Sequence, residues 1–327
     1  MKAIVISEYG GPEVLTLREV PDPVPGPEDL LVRVRATALN RADLLQRRGF
    51  YPQPGPKSEF EIPGLEFAGE VLECGARTSG FARGDRVMGL LAGGGYGEMV
   101  ALHYRLVSNI PDTLTFEQAA SLPEAFITAH DGLVQCGLQC GESVLVHAAG
   151  SGVGSAAIQV AHVMGARPCI GTAGSSEKLA QAKSLGLDVG VNYKTESFAD
   201  VVHSVTGGRG VDVIVDFIGG SYLEQNIKAL AEKGRMVVVG LMGGPSADLP
   251  MGALLQKRLS IRGTLLRARP LEEKASATRA FEKSVLPHVT SGAIVPVIDS
   301  VYPLAAAAAA HRHMESNANF GKIVLTV

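Results

Sequence analysis

No stretch of this 327-residue chain approaches the roughly 18 consecutive apolar residues that a membrane-spanning helix needs. Its start, Met1-Lys2-Ala3-Ile4-Val5-Ile6-Ser7-Glu8, turns acidic before a secretory apolar region can form, so a cytoplasmic protein is expected. Cysteine is scarce. Cys74, Cys136, Cys140 and Cys169 are too few and too scattered for a disulfide framework and are expected as reduced thiols. Blocks of one charge sign are missing as well: 30 basic and 33 acidic residues are dispersed to a net charge of −3, which favours neither nucleic acid nor a membrane surface as partner.

What is present is apolar residue in quantity, 46% of the chain, enough for more than one core, and two domains are expected. The first third alternates short β-rich runs (Ala3 to Ile6, Leu30 to Ala36, Gly69 to Leu72) with Gly/Pro punctuation such as Pro21-Asp22-Pro23-Val24-Pro25-Gly26-Pro27. Around Thr115 the spacing becomes helical, through Phe116 to Ala120 and Ala125 to Cys136, and a long bridging helix is expected there. From Ser143 apolar strands (144–146, 168–170, 189–191, 213–215, 236–239, 259–261) alternate with helical segments, the pattern of a doubly wound α/β domain with a parallel sheet. After Leu266 the spacing predicts a helix over 272–285, a strand at 295–298, a plain packed helix over the alanine run 305–310, and a closing strand at 322–325.

The strongest local signal is Val144-Leu145-Val146-His147-Ala148-Ala149-Gly150-Ser151-Gly152-Val153-Gly154, a strand entering a small-residue turn that opens a helix. In that context the backbone can approach a pyrophosphate, whose charge meets the helix N-terminal N–H groups. Ala149 and Ser151 stand where two of the usual glycines would be, and Gly154 holds the third. The next strand end, Ile170-Gly171-Thr172-Ala173-Gly174-Ser175, carries no carboxylate to take a ribose 2′-hydroxyl. Lys178 follows within a turn and Tyr193 ends the third strand, so a 2′-phosphate could receive an ammonium together with hydroxyls from Ser175 and Tyr193. NADPH is therefore the expected cofactor. The alternatives are a solvated Lys178 and a Tyr193 hydroxyl in water. His147, on the apolar first strand, reads as a satisfied core histidine.

Across nearly its whole length the chain resembles the medium-chain dehydrogenase/reductase superfamily. Within it the chain resembles the zinc-independent NADPH quinone oxidoreductases, through Ala38-Leu39-Asn40-Arg41-Ala42-Asp43-Leu44, Gly64-Leu65-Glu66, Gly93 to Glu98, Leu122-Pro123-Glu124-Ala125, Phe217-Ile218-Gly219-Gly220-Ser221-Tyr222 and Gly240-Leu241-Met242-Gly243-Gly244. The resemblance implies a GroES-like catalytic domain over 1–124, a Rossmann NADPH-binding domain over 125–267 and a return segment over 268–327. Zinc enzymes of the superfamily hold a Cys and a His where this chain has Asn40 and Leu65, so no metal is expected.

A quinone suits such a site, because its ring delocalises the oxyanion that hydride addition creates. Tyr51 and Asn40 are the candidate catalytic donors; Asp43 reads rather as a helix cap. The resemblance also implies that Thr128, Ile218, Gly240, Leu241, Met242, Leu265, Leu266, Arg267 and Asn317 line the nicotinamide half, with Gly150, Ser151, Gly152, Val153 and Gly154 at the phosphates and Gly174 beside Ser175. The final Rossmann strand, Leu259 to Leu265, would be an exposed edge, and a homodimer joined along it is expected. Two other readings stay open: a zinc-free enone or enoyl reductase, and a crystallin-like NADPH-binding protein with little turnover.

Overall fold

The computed structural model describes residues 1–55 and 59–327. They form two compact units, Met1–Ile127 with Leu266–Val327, and Thr128–Leu265.

In the first unit β1 (Lys2–Ile6) and β2 (Leu15–Glu19) pair antiparallel. A larger sheet holds β3 (Asp29–Ala38), β4 (Glu66–Cys74), β5 (Arg86–Leu90), β6 (Met99–His103) and β7 (Val107–Asn109). Along β3 the alternation places Leu30, Val32 and Val34 in the core and Arg33 and Arg35 in solvent. Its last residues, Ala36 to Ala38, are buried on both faces. Short helices follow, α1 (Arg41–Arg47) and α2 (Phe116–Ala120), and α3 (Pro123–Gln135) starts in this unit and runs on past Thr128, where the second begins. The single long helix expected from Phe116 to Cys136 is therefore two. Ser121 closes α2, and Pro123, without an N–H to donate, opens α3 at its first position.

The second unit alternates β8 (Val144–Val146), α4 (Gly152–Val163), β9 (Cys169–Ala173), α5 (Ser176–Lys183), β10 (Val189–Asn192), α6 (Phe198–Val205), β11 (Val211–Asp216), α7 (Leu223–Ala229), β12 (Leu230–Val238), α8 (Met251–Lys257) and β13 (Ser260–Gly263). All pairings are parallel, in the order β10-β9-β8-β11-β12-β13. The strand order reverses at β8, so the carboxyl ends of β8 and β11 diverge into the crevice where such sheets take ligands. The core is Leu145, Ile170, Val191, Ile214 and Met236 from the strands against Phe198, Val202 and Ala229.

The chain then returns to the first unit with α9 (Leu271–Ser284), α10 (Leu286–Thr290), β14 (Ile298–Pro303), α11 (Ala307–Glu315) and β15 (Lys322–Thr326). β15 pairs antiparallel with residues 36–38 of β3 and parallel with β14. The strand expected at 295–298 begins only at Ile298, past Pro296, which has no N–H for a ladder. The edge strand expected over Leu259 to Leu265 is confined to Ser260–Gly263.

Candidate active site

The turn from β8 into α4 is built by close approach. A Cβ on Gly154 would stand 2.1 Å from the Ala148 carbonyl oxygen, so only glycine lets the helix start against the strand end. Ser151 caps the helix, its Oγ accepting the Gly154 N–H at 2.9 Å. Among the described residues the Gly152 and Val153 N–H groups ahead of it have no partner, which leaves two helix-end donors for an anion. Gly150 is buried behind them.

At the next strand end Ser175 caps α5, its Oγ accepting the Lys178 N–H at 3.4 Å. A Cβ on Gly174 would stand 2.7 Å from the Tyr193 hydroxyl oxygen, so glycine lets the phenol close over the turn. Lys178 is partly buried and Tyr193 is exposed. Glu177 is the first carboxylate after this strand. Its carboxylate is held below the ordinary value by its own N–H and by the Ser175 hydroxyl, so an exposed carboxylate already uses one of the proposed phosphate donors.

Elsewhere in this unit Thr128 is buried and its hydroxyl has no partner among the described residues, a polar orphan that a ligand could satisfy. At the end of β11 the Asp216 carboxylate accepts the Ile218 and Gly219 N–H groups. The Gly240-Leu241-Met242 turn folds back on Phe217, whose carbonyl accepts the Met242 N–H at 3.4 Å, and leaves the Leu241 and Met242 side chains exposed. Leu265 is also exposed. His147 is a core residue: Nε2 donates to Asn226 Oδ1 at 2.7 Å, Nδ1 takes the Thr172 hydroxyl at 3.0 Å, and burial pulls its pKa down to about 4.

In the first unit Asn40 ends β3 and precedes α1. Both of its amide hydrogens are engaged, with Glu66 Oε1 at 2.9 Å and the Ala38 carbonyl at 3.3 Å, and its Oδ1 accepts from the Lys322 ammonium at 2.6 Å. Asn40 is thus a held residue, both amide hydrogens having protein partners in this structure. Lys322, at the start of β15, also donates to Glu66 Oε1 at 2.7 Å and to the Leu39 carbonyl at 2.8 Å. Lys322 and Glu66 are 4% and 0% exposed, so this is an ion pair out of water. Asp43 accepts the Asn40 and Gly64 N–H groups, and burial pushes its carboxyl up to about 6 against their pull and that of Lys322.

Tyr51 lies in the loop after α1 with its ring 4.9 Å from the Arg267 guanidinium carbon. Arg267, next to buried Leu266, donates to the Ala92 carbonyl, the Tyr51 carbonyl and Gln46 Oε1 at 2.7, 3.0 and 2.7 Å, tying two loops. Among the described residues the Tyr51 hydroxyl has no hydrogen-bond partner, and burial, then Glu124, raises its pKa to about 12. It therefore keeps its proton and can donate a hydrogen bond. Asn317, in a left-handed conformation after α11, is exposed and accepts from Arg41.

Glu66, Lys322 and Glu124 were not singled out from the sequence as site residues. A signal existed for the first two: a charged residue opening an otherwise apolar, buried strand (Glu66-Phe67-Ala68 and Lys322-Ile323-Val324) needs a partner. Among the described residues no three His, Cys, Asp or Glu side chains are arranged to hold a metal ion.

Residues 152–283 match the zinc-binding dehydrogenase family, and residues 26–112 match the alcohol dehydrogenase GroES-like domain. A quinone oxidoreductase from Rattus norvegicus is 34% identical over 329 residues, spanning 99% of this chain and 97% of its own length. Among solved structures, an NAD-dependent alcohol dehydrogenase is 38% identical with a TM-score of 0.90, each chain covered over 100% of its length. The Escherichia coli quinone oxidoreductase complexed with NADPH is 29% identical with a TM-score of 0.89, again over 100% of both chains.

Proposed function

The chain belongs to the quinone oxidoreductase family of the medium-chain dehydrogenases, and on that premise we propose that it reduces quinones, ortho-quinones among them, with NADPH and without a metal ion. The observation that carries the metal-free reading is Lys322. Its ammonium already takes up Asn40 Oδ1, Glu66 Oε1 and the Leu39 carbonyl, the oxygen donors nearest the positions where zinc enzymes have ligands. A zinc ion does not fit there, since asparagine and leucine are poor and null ligands and a second cation would be repelled.

NADPH fits the second unit through its own features. The turn closed by Gly154 and the unpaired Gly152 and Val153 N–H groups suit the pyrophosphate, and Ser175, Lys178 and Tyr193 suit the 2′-phosphate once Glu177 yields the Ser175 hydroxyl. Thr128, with its unsatisfied hydroxyl, and the residues Ile218, Gly240, Leu241, Met242, Leu265, Leu266, Arg267 and Asn317 are assigned to the remainder. When bound, the nicotinamide supplies a hydride. The protein's part is orientation: Arg267 fixes the Tyr51 loop and ring, and the Tyr51 hydroxyl offers a hydrogen bond to the acceptor oxygen.

A cytoplasmic homodimer completes the proposal. All four residues of β13 are exposed, and among the described residues β12 is its only strand partner. Met251 and Leu255 on the preceding α8 are exposed at 63% and 79%, an edge and apolar surface that a second copy would cover. Light scattering at micromolar concentration should give twice the chain mass; a monomer refutes that part. For the activity, NADPH oxidation is followed with 9,10-phenanthrenequinone, a short enone and a crotonyl thioester. The quinone should turn over fastest, and a faster thioester would overturn the assignment.

A further inference from the structure

Among the described residues of the first unit, the carboxyl groups of Glu66, Asp43 and Glu124 lie close enough to interact, and Lys322 and Arg267 are the cations that act on Asp43 and Glu124. Glu66, in β4, has both oxygens occupied, Oε1 by Lys322 and Asn40 and Oε2 by the Glu124 N–H at 2.8 Å. Asp43, in α1, accepts two backbone N–H groups. Lys322, from β15, is committed to Glu66, and Arg267 to carbonyl oxygens. Glu124, in the first turn of α3, is half-buried and is left with no hydrogen bond to its carboxyl among the described residues. Ionised, it would add an unanswered negative charge to a cluster already balanced by Glu66, Asp43, Lys322 and Arg267; protonated, it adds none.

We propose that Glu124 is the proton donor of the reductive step, the group whose O–H breaks as the new O–H of the reduced acceptor forms. This rests on the quinone-reductase reading above. Two electrons and one hydrogen arrive as hydride from the reduced nicotinamide; the second hydrogen is the Glu124 proton, and water reprotonates the carboxylate left behind. Burial, then Glu66, raises the carboxyl to about 8 against the pull of Lys322, which keeps it acidic enough to transfer and protonated at neutral pH. The Tyr51 phenol, raised to about 12, is the poorer proton source.

The test is Glu124→Gln, which copies the protonated shape, with Glu124→Asp as a second variant. Infrared spectra of the cofactor-free chain should show a carboxylic acid band that titrates away near pH 8 and is missing in Glu124→Gln. With NADPH and 9,10-phenanthrenequinone, kcat of the wild type should fall above about pH 8. Glu124→Gln should lose about a hundredfold and the alkaline limb, Glu124→Asp should recover part of both, and NADPH affinity should stay within about twofold. A Glu124→Gln enzyme with the wild-type kcat and limb, or a band unchanged by the substitution, overturns the inference alone. A wild-type chain inert toward the quinone overturns the functional reading and the donor role together.

Discussion

Replacing Lys322 with methionine keeps the length of the side chain and removes its charge, which makes it a direct probe of the buried network. In the wild type the ammonium makes three short bonds, at 2.6, 2.7 and 2.8 Å, from a residue that is 4% exposed. Lys322→Met leaves the fully buried Glu66 carboxylate without a cation and two further oxygens without a donor. Breaking one side of such a pair costs about 3–5 kcal/mol, because the surviving charge stays out of water. At about 2–4 °C per kcal/mol for a unit of this size, the melting temperature should fall by roughly 6–20 °C. Glu66→Gln added to Lys322→Met should restore much of the loss, because a neutral amide no longer needs a cation. Calorimetric melts of the wild type, both single variants and the double variant give the coupling energy, expected at about 2–3 kcal/mol. A coupling within about 0.5 kcal/mol of zero would refute the claim that Lys322 and Glu66 depend on each other.

Lys178→Ala should weaken NADPH about 10- to 100-fold, the loss of one charge-assisted contact, and leave NADH nearly unchanged, as read by fluorescence titration of both. Equal weakening of the two would remove Lys178 from the 2′-phosphate site. Glu177→Ala, which frees the Ser175 hydroxyl, should shift preference a few-fold the other way, toward NADPH. His147 has a folded pKa of about 4 beneath an unfolded value near 6.5, so the unfolded chain binds its proton first as pH falls. Stability is then complete above about pH 6.5 and declines by about 3 kcal/mol as pH approaches 4. Denaturant titrations between those limits should show that decline in the wild type and a flatter one in His147→Gln; identical slopes would contradict the neutral, buried assignment.

The second unit was the more legible from sequence, because its signals are local. Val144 to Gly154 carries strand, turn and helix start in eleven residues, and the structure gives each its partner: Ser151 on the Gly154 N–H, Gly154 against Ala148. The first unit resisted for the opposite reason. Asn40, Glu66 and Lys322 are held together across separations of 26 and 256 residues in the chain, and no window contains them. No window around Asn40 reveals that its amide reaches Glu66. Tyr51 was legible as a residue, but its orientation depends on Arg267, 216 positions away. The misplaced helix and strand boundaries have a simpler origin in proline, at Pro123 and Pro296, where apolar spacing continued and the backbone could not.

The central claim is hydride transfer from NADPH to a quinone at a site closed to metal. Initial rates of NADPH oxidation with 9,10-phenanthrenequinone, before and after exhaustive dialysis against a strong chelator, test it most directly. Lys322 seated on Asn40 and Glu66 predicts the same rate in both samples and no stimulation by added zinc. Activity that disappears on chelation and returns with zinc would contradict it.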